Sequence, residues 1–162
     1  RRLLAGLPPP AFRGIAEAWF WQAHGGQREP PPEAGTGPGA WRVWLIMAGR
    51  GFGKTRAAAQ WLWARVAEAP GAQIALVGGT LDEVAKVMVR GPSGLVGTAG
   101  SEAPPVWNGS PRTVGFGCGA KAFAYSAERP EALPGPEHHF AWCDELAKWR
   151  RADETWDNLM LA

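Results

Sequence analysis

Hydrophobic positions fall in short blocks separated by glycine- and proline-rich stretches, and the spacing inside each block predicts its structure. From about Pro10, the residues Phe12, Ile15, Ala16, Trp19 and Phe20 recur at alternating steps of three and one. Those steps put them on one face of a helix, so residues 1–24 read as an N-terminal helical segment. Residues 25–40, GGQREPPPEAGTGPGA, show no packing period and read as a Pro/Gly-rich loop or linker. WRVWLIMA, residues 41–48, is short, apolar and rich in branched and aromatic side chains, the pattern of a buried strand. TRAAAQWLWARVAEA, residues 55–69, is built of good helix formers, and Pro70-Gly71 stops it.

The second half continues the alternation. Gln73 to Val77 predicts another buried strand. Thr80 is a good helix N-cap and Glu83, three residues on, completes a capping box for a helix over LDEVAKVMV. Residues 91–111 read as a long surface loop. Thr113 to Gly117 and Ala120 to Ser126 predict two strands joined by a tight turn. FAWCDE, residues 140–145, is an apolar run ending in two carboxylates, and residues 152–161 predict a helix. Strand, helix, strand, helix and further strands predict an α/β fold: a mostly parallel sheet flanked by helices in three layers, occupying residues 41–162. Ligands of such sheets bind beyond the carboxyl ends of strands, where the loops after Ala48 and after Cys143 are expected.

Composition sharpens this little. Of 162 residues 46% are hydrophobic, enough for a core, while 22 Gly and 15 Pro predict many turns. A net charge of +2 neither demands nor excludes nucleic acid. The two cysteines, Cys118 and Cys143, lack metal-knuckle spacing and are expected to be small, reduced core residues of a cytoplasmic protein. No apolar run is long enough to span a membrane. Arg1-Arg2 is not followed by an apolar segment with a cleavage site, so an export signal is rejected. The missing initiator Met reads as a piece of something longer.

The chemistry centres on AGRGFGKT, residues 48–55. A phosphate loop follows G-x-x-x-x-G-K-[ST], and Gly53, Lys54 and Thr55 fit it while Ala48 departs from it. Glycines such as Gly49, Gly51 and Gly53, on either side of Phe52, let backbone N–H groups approach phosphate oxygens without a Cβ in the way. The following helix brings its positive end to the same place. Lys54 is then the residue for the β- and γ-phosphates and Thr55 a Mg2+ ligand. Ala48 is tolerable where φ stays negative. Arg50 can reach phosphate oxygens through its guanidinium, with a solvated loop arginine as the alternative. The dinucleotide fingerprint G-x-G-x-x-G does not fit, because Lys54 and Arg56 stand where its last glycine is needed.

FAWCDE supplies a second set of groups. Asp144, at a strand end, is assigned to Mg2+, and Glu145 to orienting and polarising the attacking water, which favours hydrolysis over transfer. A solvated turn-opening pair is the bland alternative. Arg50, Arg129 and Arg112 are candidates for the cation that stabilises transition-state charge.

At these residues the chain resembles the large terminase subunit of bacteriophages, the ATPase motor that packages DNA into empty capsids, in its prophage and gene-transfer-agent types. The carriers are WRVWLIMAGRGFGKTRAAAQWLW, IALVGGTLDEVAKVMVRGPSGL, AYSAERPEALPGPEHHFAWCDELAKW and TWDNLMLA. The family commonly has a small residue first in its phosphate loop and an Arg inside it, as in Ala48 and Arg50. The resemblance implies a P-loop NTPase fold, ATP with Mg2+, and double-stranded DNA as the translocated polymer. It implies a homo-oligomeric ring on the capsid portal, a small terminase subunit as partner, and the bacterial host cytoplasm as the place of action. Pro134-Gly135 stands where the family often has Arg-Gly, an Arg that in some relatives acts on the neighbouring subunit. The family's coupling motif and nuclease domain lie beyond Ala162, so the ATPase part is expected to be incomplete and without DNA cleavage. A helicase-like P-loop ATPase and a non-hydrolysing nucleotide-binding fragment are the rival readings.

Among the ten tryptophans, most are expected in the core, with Trp61 or Trp63 exposed and Trp41 or Trp44 able to line an adenine pocket. Lys148, Trp149, Arg150 and Arg151 read as a solvated helix start, with DNA phosphate or a neighbouring subunit as the alternative contact. His138-His139 has no further spaced ligands for a metal.

Overall fold

The computed structural model describes residues 18–31, 41–100 and 104–162. The chain forms two compact units, residues 1–57 and 58–162. The second unit holds a five-stranded sheet. Its strands are β1 (Gln73–Gly78), β2 (Val106–Gly109), β3 (Arg112–Gly115), β4 (Lys121–Ser126) and β5 (Phe140–Cys143), in the spatial order β2-β3-β4-β1-β5. β1 runs parallel to both β4 and β5, whereas β2, β3 and β4 pair antiparallel. The sheet is therefore mixed: a parallel centre with an antiparallel hairpin on one side. β2 lies inside the stretch expected to be surface loop.

β1 has no polar face. Ile74, Ala75, Leu76 and Val77 are all completely buried, as a parallel strand covered on both sides requires. Ile74 and Leu76 join one core with Ala59, Leu62, Val66, Val84 and Met88. Ala75 and Val77 join the other with Tyr125, Leu133, Trp149 and Leu159. Helix α1 (Lys54–Glu68) supplies Ala59, Leu62 and Val66 to the first core, at the three- and four-residue steps of one helix face. Helix α2 (Ala152–Leu161) supplies Leu159 to the second. Sheet and flanking helices thus give the three layers expected of an α/β fold. α2 is also pinned by polar bonds: Thr155 Oγ1 donates to the Ala127 carbonyl at 3.3 Å, and Asn158 Nδ2 to that of Pro130 at 2.9 Å.

Four local expectations need correcting. Residues 43–49 form no strand. Val43, Leu45 and Met47 are 48%, 71% and 84% exposed, while Trp44 and Ile46 between them are half-buried. An apolar run rich in branched and aromatic residues suits a buried strand, but its composition cannot specify a ladder partner. After the Thr80–Glu83 capping box, which forms as expected, the backbone winds as a π-helix over Val84–Val89. The Arg90 amide donates to the Ala85 carbonyl, five residues back, at 3.0 Å, and the Met88 and Val89 carbonyls at the end of the segment accept from the amides of Leu95 and Val96, both at 2.9 Å. Neither Trp61 nor Trp63 is exposed. Trp61 packs edge-on against Phe140 at 6.1 Å, and Trp63 against Phe116 at 5.3 Å. Cys118 sits exposed in a turn rather than in the core. Most of the expected N-terminal helix, and residues 32–40 of the expected linker, lie outside the described residues; Trp19–Gln22 forms a single helical turn. Among the described residues no helix is long and apolar enough to cross a membrane.

His138 packs edge-on against Tyr125, whose hydroxyl lies 3.0 Å from His138 Nε2. Burial, helped by the neighbouring His139, lowers its pKa below the usual 6.5. A histidine held neutral by the fold contributes stability that is complete above the unfolded value and is lost as pH falls through the folded one. The thermal midpoint should therefore drop as pH falls below about 6.5, and His138→Gln should flatten that part of the profile. Leu76→Ala should cost about 2–5 kcal/mol in urea unfolding, because the residue is enclosed on all sides.

Candidate functional site

In the first unit the loop 48–55 runs directly into α1, which begins at Lys54. The unpaired N–H groups of its first turn face the loop end, a natural anion site. Gly51 and Gly53 adopt φ of +82° and +87°, a region that side chains with a Cβ avoid. Among the described residues Glu145 alone has positive φ without being glycine, so Ala48 occupies its position without that strain. Lys54 Nζ donates to the carbonyls of Ala48 at 2.7 Å and Gly49 at 2.9 Å. The ammonium is thus folded back onto the start of the loop. Gly49, Arg50 and Gly51 are exposed, and Phe52, Gly53 and Thr55 half-buried.

A second segment of the same unit supports this loop. Gly25–Gln27 forms a one-turn 3₁₀ segment with His24 at its N-cap, and Gln27 is only 8% exposed. Gln27 Nε2 donates to the Phe52 carbonyl at 2.6 Å, and the His24 ring meets the Phe52 ring edge-on at 4.5 Å. The sequence offered only a featureless Gly-rich stretch here. The one available signal was His-x-x-Gln, which places a side-chain acceptor at the end of its own turn. Arg56, in the first turns of α1, lies over Trp19 at 5.7 Å and donates to Gln22 at 2.6 Å. Trp41 donates to the Pro30 carbonyl at 3.1 Å.

In the second unit the parallel register sets the acidic pair. Val77 pairs with Cys143, so Asp144 emerges level with Gly78, and its amide donates to the Val77 carbonyl at 2.9 Å. The Trp149 indole donates to the Asp144 carbonyl at 3.0 Å. Glu145 follows in the left-handed conformation, with φ +51°, and its carboxylate pairs with Lys148. The expected basic cluster is thus dispersed. Trp149 is buried, Lys148 pairs with Glu145, and Arg151 pairs with Glu131 and Glu154. Arg129 is exposed on the loop after β4, Arg112 opens β3 and is also exposed, and Pro134 is exposed in the turn before β5.

Among the described residues no group of three or more His, Cys, Asp or Glu is placed to hold a metal. A divalent cation here would need phosphate oxygens and water to complete its shell, the usual way Mg2+ is held. Thr55 in the first unit and Asp144 in the second each carry an oxygen of the type such a cation accepts.

A glycine loop opening a helix, and a carboxylate pair at the end of the parallel edge strand β5, belong to an α/β fold of the P-loop kind. The family model "Terminase large subunit, T4likevirus-type, N-terminal" matches residues 45–161, and the chain belongs to this family. Among solved structures it is similar to the large terminase ATPase domain of Thermus phage P74-26, with 18% identity and a TM-score of 0.50. That match covers 70% of this chain and 53% of the other, so the chain spans about half the length of that structure. No curated protein matches it.

Cys143 adjoins the acidic pair, and burial, reinforced by the Asp144 charge, pushes its thiol up to about 12. At pH 8 only about one in ten thousand such thiols is ionised. Ellman's reagent should therefore label exposed Cys118 in the native protein and reach Cys143 only on unfolding, as peptide mapping of the labelled chain can show.

Proposed function

We propose that this chain is the ATP-hydrolysing part of a phage DNA-packaging motor. The observation that carries the reading is the loop itself, with two positive-φ glycines, a helix start, and a lysine whose ammonium donates to the carbonyls of Ala48 and Gly49 at the start of the loop. Family membership supports the packaging role. In this reading the backbone from Ala48 to Gly53 cradles the triphosphate of ATP, and Lys54 neutralises its β- and γ-oxygens. Thr55 and Asp144 would supply oxygen ligands for Mg2+, and the bound ion would supply positive charge against the triphosphate. Glu145 accepts a hydrogen bond from the attacking water and orients it. Arg50 is the nearest candidate in sequence for stabilising transition-state charge, with Arg129 and Arg112 as the others. Double-stranded DNA is the polymer moved. A homo-oligomeric ring of subunits, the capsid portal and a small terminase subunit are the partners, in the cytoplasm of a bacterial host.

The test is phosphate release from ATP with Mg2+, with and without double-stranded DNA. The parent should turn over. Lys54→Ala should lose nucleotide binding and turnover together. Glu145→Gln should bind nucleotide normally while turnover falls about 10²- to 10⁴-fold. Nucleotide binding that depends on Lys54, with no turnover in any form, would favour a non-hydrolysing nucleotide-binding module. Turnover driven by any DNA and indifferent to capsids and portal would favour a helicase-like enzyme.

A further inference from the structure

Trp149 is a core residue whose one polar atom is aimed at the acidic pair. Its ring packs in the second core with Val77, Tyr125, Leu133 and Leu159, and it is only 6% exposed. Its indole Nε1 donates to the Asp144 carbonyl at 3.0 Å. A single 3₁₀ turn, Leu146–Lys148, brings it there. The turn closes with the Trp149 amide donating to the Leu146 carbonyl at 3.0 Å. The chain is thereby rolled back, so that a side chain five residues after Asp144 meets the Asp144 carbonyl. A buried indole N–H needs an acceptor, and the one taken here belongs to the peptide that leads into Glu145.

Glu145 lies between two peptides, and both are held. The first carries the Asp144 carbonyl, bonded by the indole. The second carries the Glu145 carbonyl, which accepts from the Lys148 amide at 2.8 Å. On the strand side the Asp144 amide donates to the Val77 carbonyl at 2.9 Å, so the sheet fixes the chain up to Asp144. A peptide is planar, so holding its carbonyl also holds the N–H at its other end, and with it the bond about which Glu145 turns. Glu145 has φ +51° and ψ +44°. A residue with a Cβ keeps that left-handed conformation only where its surroundings impose it. We infer that Trp149 is a positioning residue for hydrolysis: its indole N–H clamps the peptide before Glu145 and keeps that carboxylate aimed, without itself touching the substrate. This role rests on the hydrolytic reading above. It acts through Glu145 and not through Asp144, whose amide β1 already holds, so affinity for nucleotide and Mg2+ does not depend on it.

Trp149→Phe keeps an aromatic ring in the core and removes the donor. Benzothienylalanine inserted at position 149 keeps the shape of the indole, with sulfur in place of the N–H. Turnover of radiolabelled ATP is measured for the parent, these two variants, Glu145→Gln, and Glu145→Gln combined with Trp149→Phe. ATP affinity and the Mg2+ concentration for half-maximal rate are measured alongside, with circular dichroism to confirm folding. Both Trp149 variants should lose about tenfold or more in kcat, with ATP affinity and Mg2+ requirement like those of the parent. In the Glu145→Gln background Trp149→Phe should cost nothing further, because the group it aims is already gone; a general structural defect would lower that residual rate too. Parent-like kcat in both variants would overturn the inference. So would a loss in Trp149→Phe that benzothienylalanine does not share, which would assign the effect to packing. A raised Mg2+ requirement would overturn it in favour of an action on Asp144, and a full further loss in the double variant would overturn it as independent of Glu145. If the parent releases no phosphate, or Glu145→Gln turns over like the parent, the hydrolytic reading fails first and takes the inference with it.

Discussion

The parallel pairing of β1 with its two neighbours fixes the height at which every loop on the carboxyl edge begins. Gly78 is level with Ser126, and Asp144 stands one residue beyond the Val77–Cys143 pair. Parallel ladders of this kind survive only where both faces are dry, and the unbroken burial of Ile74 to Val77 meets that condition. The edge is then tied from loop to loop. Ser126 Oγ donates to the Gly79 carbonyl at 2.9 Å, and the Ala127 amide to that of Gly78 at 2.9 Å. Thr155 carries the tie onward to α2 through the Ala127 carbonyl. A carboxylate placed by such a lattice has a backbone that cannot drift.

Backbone and side chain of Glu145 are held by different means. A left-handed residue other than glycine costs about 1–2 kcal/mol, whereas an exposed ion pair such as Glu145–Lys148 returns only about 0.2–1 kcal/mol. The pair cannot impose the conformation. The backbone bonds around it can: Asp144 to Val77, Lys148 to the Glu145 carbonyl, and Trp149 to that of Leu146, together with the Trp149 indole on Asp144. The peptide is therefore rigid and the carboxylate lightly tethered, a division suited to a group that must change partners.

Much of this was legible in the chain itself. Burial patterns located β1, β4, β5 and α2 to within a residue or two, because a dry strand and an amphipathic helix each leave a periodic record. The capping box at Thr80 and the helix start at Lys54 were equally local, written in residues three apart. What failed depended on partners distant in sequence. Residues 43–49 have the composition of a strand but no ladder, and composition does not name a neighbour. Within the basic cluster only the Arg151–Glu131 pair is of this kind, whereas Lys148–Glu145 and Arg151–Glu154 are local pairs three residues apart. Gln27 was invisible for the same reason: 25 residues separate it from Phe52, and its stretch looked like a linker.

The exposed apolar stretch from Val43 to Met47 has a practical meaning for anyone handling the chain. Its backbone donors and acceptors enter no ladder, and its side chains add a greasy strip on which another molecule's strand can settle. A net charge of only +2 offers little electrostatic repulsion to keep copies apart. These few residues next to the glycine loop are therefore a place where copies of the chain can adhere. A lysine or glutamate at Leu45 or Met47 is the economical route to a protein that stays dispersed.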